Sequence, residues 1–220
     1  MSRWRKFSLC FPFRCGAPNK ASSHTFPTDM RSLLIFFALA TAAFAQSTVT
    51  PATGKFPALM VQPTVATKQR QEPGSFYRRT MTVDAKLTIE GVSHLKPIPA
   101  SEATIVLVTM DTKAKYKENR EAYLVREVAT VKIPEAKNGE RQQVDLAEFQ
   151  TTFDAYRDNT NLGGEVYKYY VFGLRDPETK QLIDFKTNHA NLAMYCKAHP
   201  EKREEMLRMA KGKSFPSEFK

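Results

Sequence analysis

From Met81 to Glu90 apolar and polar side chains alternate without a break. Met81, Val83, Ala85, Leu87 and Ile89 fall on one side, and Thr82, Asp84, Lys86, Thr88 and Glu90 on the other. A period of two predicts a strand with one dry face. Gly91 and Pro97-Ile98-Pro99 end it in a loop. Ala103 to Met110 is apolar at almost every position and rich in β-branched residues, the pattern of a central strand buried on both faces. Asp111 to Arg120 reads as a charged connection. Tyr123 to Ile133 alternates again through Val125, Ala129, Val131 and Ile133, with Glu127 as the exception. Pro134 stops it, and Asn138-Gly139 predicts a turn with positive φ before a short return strand at Val144 and Leu146.

The spacing then changes. Leu146, Phe149, Phe153 and Tyr156 recur at three, four and three, which predicts a helix of about three turns ending at Asn159–Gly164. Val166 to Leu174 is a strong strand, Asp176-Pro177 starts a tight turn, and Leu182–Phe185 pairs back as a hairpin. Asn188 is placed to cap a helix over Ala190–Lys197. Pro200 suits the first position of a second helix running to Lys211 before Gly212.

Together these elements predict a mainly β fold: an antiparallel sandwich of about six or seven strands, with one inserted helix and C-terminal helices. The architecture is immunoglobulin- or fibronectin-like, but the Cys–Trp–Cys framework of immunoglobulin domains is missing. The folded β-domain is expected over 76–187, with a helical extension over 188–220. Residues 46–75 hold Pro51, Pro57, Pro63 and Pro73 among Thr, Gln and Ala. They read as an extended tail with at most one short edge strand, at Leu59–Val65.

The N-terminus changes what composition means. Leu33 to Phe44 is apolar apart from Thr41, Arg31 precedes it, and Ala43-Phe44-Ala45 places small residues ahead of Gln46. That is the arrangement of an export signal over 30–45, cut between Ala45 and Gln46. The apolar run is shorter than the roughly 20 residues a membrane span needs, so a membrane role rests only on an uncleaved signal. Residues 1–29 fit no element, and Met30 reads as the working start. Arg3, Arg5, Lys6, Arg14, Lys20 and Arg31 lie ahead of the cut against Asp29 alone, so half of the net charge of +10 is lost there. This weakens a nucleic-acid reading. Trp4, Cys10 and Cys15 also precede the cut. Cys196 remains the single cysteine, which excludes an internal disulfide in the mature chain. A lone Cys inside a helix reads as a small hydrophobe.

Little catalytic chemistry is legible. There is no G-x-S-x-G elbow, and His94, His189 and His199 lack metal-ligand spacing. No cofactor or metal is expected. Asp154–Glu165 gathers oxygen-bearing side chains and glycines, but Tyr156 and Leu162 spoil a calcium-loop register. Lys113, Lys115, Lys117 and Arg120, and the bases within 197–213, read as solvated faces. The most suggestive stretch is aromatic: with Tyr170, Phe172 and Leu174 packed inward, Tyr167, Tyr169 and Arg175 point outward as a contact surface. The expected function is therefore an exported, non-enzymatic module binding another protein or an envelope polymer. A small hydrolase with carboxylates that meet only in the fold, or a structural subunit of a secreted assembly, are the alternatives.

Overall fold

The computed structural model describes residues 49–155 and 163–219. The export signal and its cut, and the centre of the Asp154–Glu165 loop, lie outside them. The elements are β1 (Val49–Thr50), β2 (Leu59–Gln71), β3 (Arg78–Gly91), β4 (Ser101–Asp111), α1 (Thr112–Tyr116), β5 (Tyr123–Ile133), β6 (Gln142–Asp154), β7 (Glu165–Arg175), β8 (Leu182–Thr187), α2 (Ala190–Ala198) and α3 (Pro200–Leu207).

The strands form two four-stranded antiparallel sheets, in the orders β1-β2-β3-β6 and β5-β4-β7-β8. Between them lies the main core. Leu59, Val61, Ala85, Leu87 and Ile89 come from the first sheet, and Ala103, Ile105, Leu107, Tyr170, Phe172 and Leu174 from the second. Each fully buried aliphatic side chain contributes about 1.5–3 kcal/mol, so this layer dominates stability. A second core covers the other face of the second sheet, where Val106, Val108, Val125, Tyr169 and Val171 meet Leu192, Cys196, Met206, Leu207, Phe215 and Phe219. Buried on both faces, β4 has no polar face to show, which is why its sequence does not alternate. Among the described residues, no helix is long and apolar enough to cross a membrane.

Several expectations need correction. The helix over 146–156 is strand β6 as far as Asp154, with Tyr156 beyond the described residues. Its pairing with β3 slips between Ala85 and Lys86, leaving Leu146 as the extra residue of a β-bulge. One inserted residue shifts the strand's phase, so Val144, Leu146, Ala147 and Phe149 all reach the core at uneven spacing. The tail over 46–75 is not a tail throughout. β2 runs thirteen residues, pairs with β3 along its whole length and buries Leu59 and Val61. Among the described residues there are eight strands.

Smaller corrections follow the same logic. The connection after β4 holds the five-residue α1, capped by Asp111 Oδ1 on the Lys113 and Ala114 amides. Asn138 and Gly139 are not among the residues with positive φ. Gly139 is needed for close approach instead, since a Cβ there would collide with the Ser93 carbonyl. The cap of α2 is His189, and α3 ends at Leu207 rather than Lys211. Beyond it the chain straightens along the free edge of β5, bonding at Val125 and Tyr123 through Gly212, Lys213 and Phe215.

Candidate binding groove

The strand pattern places Tyr167, Tyr169 and Arg175 on β7, and the structure separates them. Tyr169 is 2 % exposed and sits in the outer core, edge-on to Tyr123, His189, Phe215 and Phe219 at centroid distances of 5.0 to 5.9 Å. Desolvation drives its phenol far above the usual tyrosine range. Arg175 is also buried, and its Nη2 holds Glu204 Oε2 of α3 at 2.7 Å. Gly173 between them leaves room for α3: a Cβ there would collide with Leu207 Cδ1. The expected outward stripe is therefore the surface on which the C-terminal helices dock.

Tyr167 goes to the opposite face. The β4–β7 register slips between Val108 and Thr109, which pair with Tyr169 and Tyr167, so Lys168 is an extra residue and the parity reverses there. Tyr167 thus joins Tyr170 beside the inter-sheet core, its hydroxyl 3.4 Å from Asn188 Nδ2. Its phenol too is raised, chiefly by burial.

A groove of about 760 Å³ opens where the two sheets part, between β2 and β8. Its volume lies within the range of ligand clefts. One wall is Val61–Val65 of β2; the other is Leu182–Thr187 of β8 with Ala193 and Lys197 of α2 and Arg203 of α3. Tyr170 forms the floor. Its hydroxyl donates to the Pro63 carbonyl at 3.3 Å, and its own amide donates to Asn188 Oδ1 at 2.9 Å. Burial first, then the Asp184 charge, pushes the phenol up to about 12, so it stays a donor at neutral pH.

Both strands flanking the groove are sheet edges. Beyond the two residues paired with β1, β2 has β3 on one side only, and β8 has only β7. An open edge invites another strand, and here each is guarded. Pro63 has no N–H to offer. The Val61 and Pro63 carbonyls are taken by Lys186 Nζ at 2.5 Å and by Tyr170. On β8 the Phe185 amide donates to Asp184 Oδ1 at 2.9 Å. Asp184 and Lys186 lie opposite Leu174 and Phe172, two main-core residues. Lys186 Nζ is 3.5 Å from Asp184 Oδ2, close enough for an ion pair although that oxygen accepts no hydrogen bond among the described residues. A lysine of the second sheet thus holds the main chain of the first.

The groove is positive on balance. Lys186, Lys197 and Arg203 face it against Asp184. Arg203 is anchored by its Nε to the Cys196 carbonyl at 2.8 Å and lies over the Phe185 ring. Lys197 is exposed on α2. Cys196 is buried, its thiol raised by desolvation and 3.6 Å from Met206 Sδ, a packing residue rather than a nucleophile. Among the described residues no three His, Cys, Asp or Glu side chains come together as metal ligands. Sequence reasoning singled out neither Asp184 nor Lys186, and it counted Lys197 and Arg203 only among the solvated bases of 197–213. The usable signals were charges alternating with Ile183 and Phe185 in a short strand, and Pro63 inside a β-pattern.

No family model matches the sequence, and no curated protein matches it. Solved structures give weak likenesses. A calcium-binding mutant of Bacteroides uniformis beta-glucuronidase 2 is 14 % identical over 56 % of this chain, with a TM-score of 0.28, and the chain spans 12 % of that enzyme. A crystal structure from Akkermansia muciniphila is 12 % identical over 66 % of this chain and 75 % of the other, again with a TM-score of 0.28.

Proposed function

We propose that this chain is an exported, non-enzymatic binding module that takes an extended, acidic segment of another protein in the groove between β2 and β8. The observation that carries the reading is the groove itself: an apolar-floored slot between two sheet edges, lined among the described residues by three basic side chains against one acid. Because the edges are guarded, recognition runs through side chains rather than strand addition. The five β2 residues along the wall span about 16 Å at the usual strand rise, enough for a short extended segment.

The architecture is in keeping with such modules. The orders β2-β3-β6 and β5-β4-β7-β8 parallel the A-B-E and C′-C-F-G strands of immunoglobulin- and fibronectin-like sandwiches. Export is supported by the apolar run Leu33–Phe44 and the Ala43-Phe44-Ala45 site. A hydrolase would need two carboxylates converging in a cleft, and among the described residues Asp184 is the one acid lining this groove.

The test is a fluorescence titration with extended acidic, neutral and basic peptides. Acidic peptides should bind, with affinity falling as salt rises. Lys197→Glu should weaken binding about tenfold, and Ala193→Trp, which fills the groove, should abolish it. Binding that ignores peptide charge and both substitutions would sink the reading, as would substrate turnover lost on changing Asp184.

A further inference from the structure

The hairpin joining β2 to β3 carries a second feature, beyond the groove-lining residues Val61–Val65 of the same strand. Residues 68–79 contain Lys68, Arg70, Arg78 and Arg79 against Glu72, and at their tip stand Phe76, 89 % exposed, and Tyr77, 37 % exposed. Every residue from Lys68 to Arg79 is exposed except Glu72 and Ser75. Phe76 and Tyr77 are neighbours in the chain, so the tip presents two aromatic rings together rather than one scattered apolar side chain.

The tip is not a frayed end. The Glu72 amide donates to the Arg78 carbonyl at 3.0 Å, and the Ser75 amide to the Glu72 carbonyl at 3.2 Å. Gln71 Nε2 donates to the Ser75 carbonyl at 2.9 Å, and the Arg78 amide to Ser75 Oγ at 3.0 Å. Arg78 Nε is 3.6 Å from Glu72 Oε2, whose other oxygen accepts from Thr80 at 3.3 Å. The Ala155 amide donates to the Tyr77 carbonyl at 2.7 Å. A turn bonded at this many points holds Phe76 outward as part of its structure.

We propose that this hairpin tip docks on an anionic lipid surface, with Phe76 and Tyr77 entering the headgroup layer and Arg70, Arg78 and Arg79 bonding lipid phosphates. Shape and charge choose a membrane over a protein. Protein hot spots are central residues of a broad patch that fill a partner's pocket. Here two aromatic rings stand on a narrow convex turn with arginine behind them. Aromatic side chains settle at the headgroup level of bilayers. Arginine matches phosphate with a planar fork, and basic residues near the surface add to anionic-lipid affinity.

The chain has a single tryptophan, Trp4, so Trp4→Phe with Phe76→Trp in the full chain puts the only indole at the tip. On adding phosphatidylglycerol vesicles the emission should shift to the blue and be quenched by brominated acyl chains. Phosphatidylcholine vesicles should leave it unchanged. Adding Arg70→Glu and Arg79→Glu, neither of which makes an ion pair among the described residues, should raise the lipid needed at least about tenfold while the melting temperature holds. Residues 1–48 are the same in both variants, so that comparison reads the hairpin alone. An unshifted emission overturns the proposal. So does an equal response to both lipids, or a shift that comes with protein concentration alone, which would assign the tip to a second copy. A shift seen with a lipid-free protein extract but not with vesicles would assign it to a protein and overturn it equally.

Discussion

Tyr169 shows how one side chain's surroundings decide its meaning. Its hydroxyl is buried and has no hydrogen-bond partner among the described residues, while its ring touches four other aromatic or imidazole rings. An unsatisfied buried hydroxyl costs about 1–3 kcal/mol, and the edge-on ring contacts give back about 0.5–1.5 each. Tyr169→Phe keeps the rings and removes the orphan oxygen. It should raise stability by about 1 kcal/mol, seen as a higher denaturant midpoint with unchanged slope. Tyr169→Ala should lose about 3–5 kcal/mol. A tyrosine serving an open contact surface would leave the midpoint unmoved in both variants.

Elements carry the next lesson, and α2 is the sharpest case. Its first turn is held by His189 Nδ1, which accepts from the Leu192 amide at 3.2 Å and can do so only while unprotonated. Burial beside Tyr169 and Phe219 lowers the His189 pKa below its ordinary 6.5, against a smaller pull upward from Glu121. The sign follows. Above about pH 6.5 the imidazole is neutral both folded and unfolded, so it adds no pH dependence. As pH falls through 6.5 the unfolded chain takes the proton first, and stability drops until the lower folded value is passed. Asparagine is a good cap that does not titrate. His189→Asn should therefore flatten the fall in urea midpoint between pH 7.5 and 5; an unchanged slope would refute the assignment.

The same scale explains what was legible. Strands with an even period, β3 above all, announced themselves, as did the doubly buried β4. The two main misreadings fall at bulges. Leu146 in β6 turned alternation into apparent helical spacing, and Lys168 in β7 sent Tyr167 and Tyr169 to opposite faces. A bulge inserts one residue without changing composition, so periodicity cannot register it until the partner strand is known. The groove was hidden for a different reason. Its residues come from β1, β2, β7, β8, α2 and α3, and only the closure of one sheet over the other brings them together.

Across the whole molecule, Lys186 ties the two sheets where they would otherwise gape. Its side chain and that of Asp184 are mostly buried, and its ammonium reaches from β8 to the Val61 carbonyl of β2. Lys186→Met would strand the Asp184 carboxylate, and breaking a buried pair from one side costs about 3–5 kcal/mol. Lys186→Met with Asp184→Leu should recover part of that loss, as measured by equilibrium unfolding of the parent chain and the two variants. A single substitution costing under about 1 kcal/mol would show that the sheets close without this contact.

The strand order has a kinetic consequence as well. Met81 pairs with Thr151 and Ile105 with Phe172, so each sheet is joined at its centre by strands distant in the chain. The nearby pairs, β2 with β3, β4 with β5 and β7 with β8, can form early, but neither sheet is complete until its long loop has closed. Such non-local pairing places refolding on the millisecond-to-second scale typical of sandwiches. During that interval the apolar faces of these hairpins stand open to other chains, so the vulnerable form of this protein is its half-assembled intermediate and not its native state.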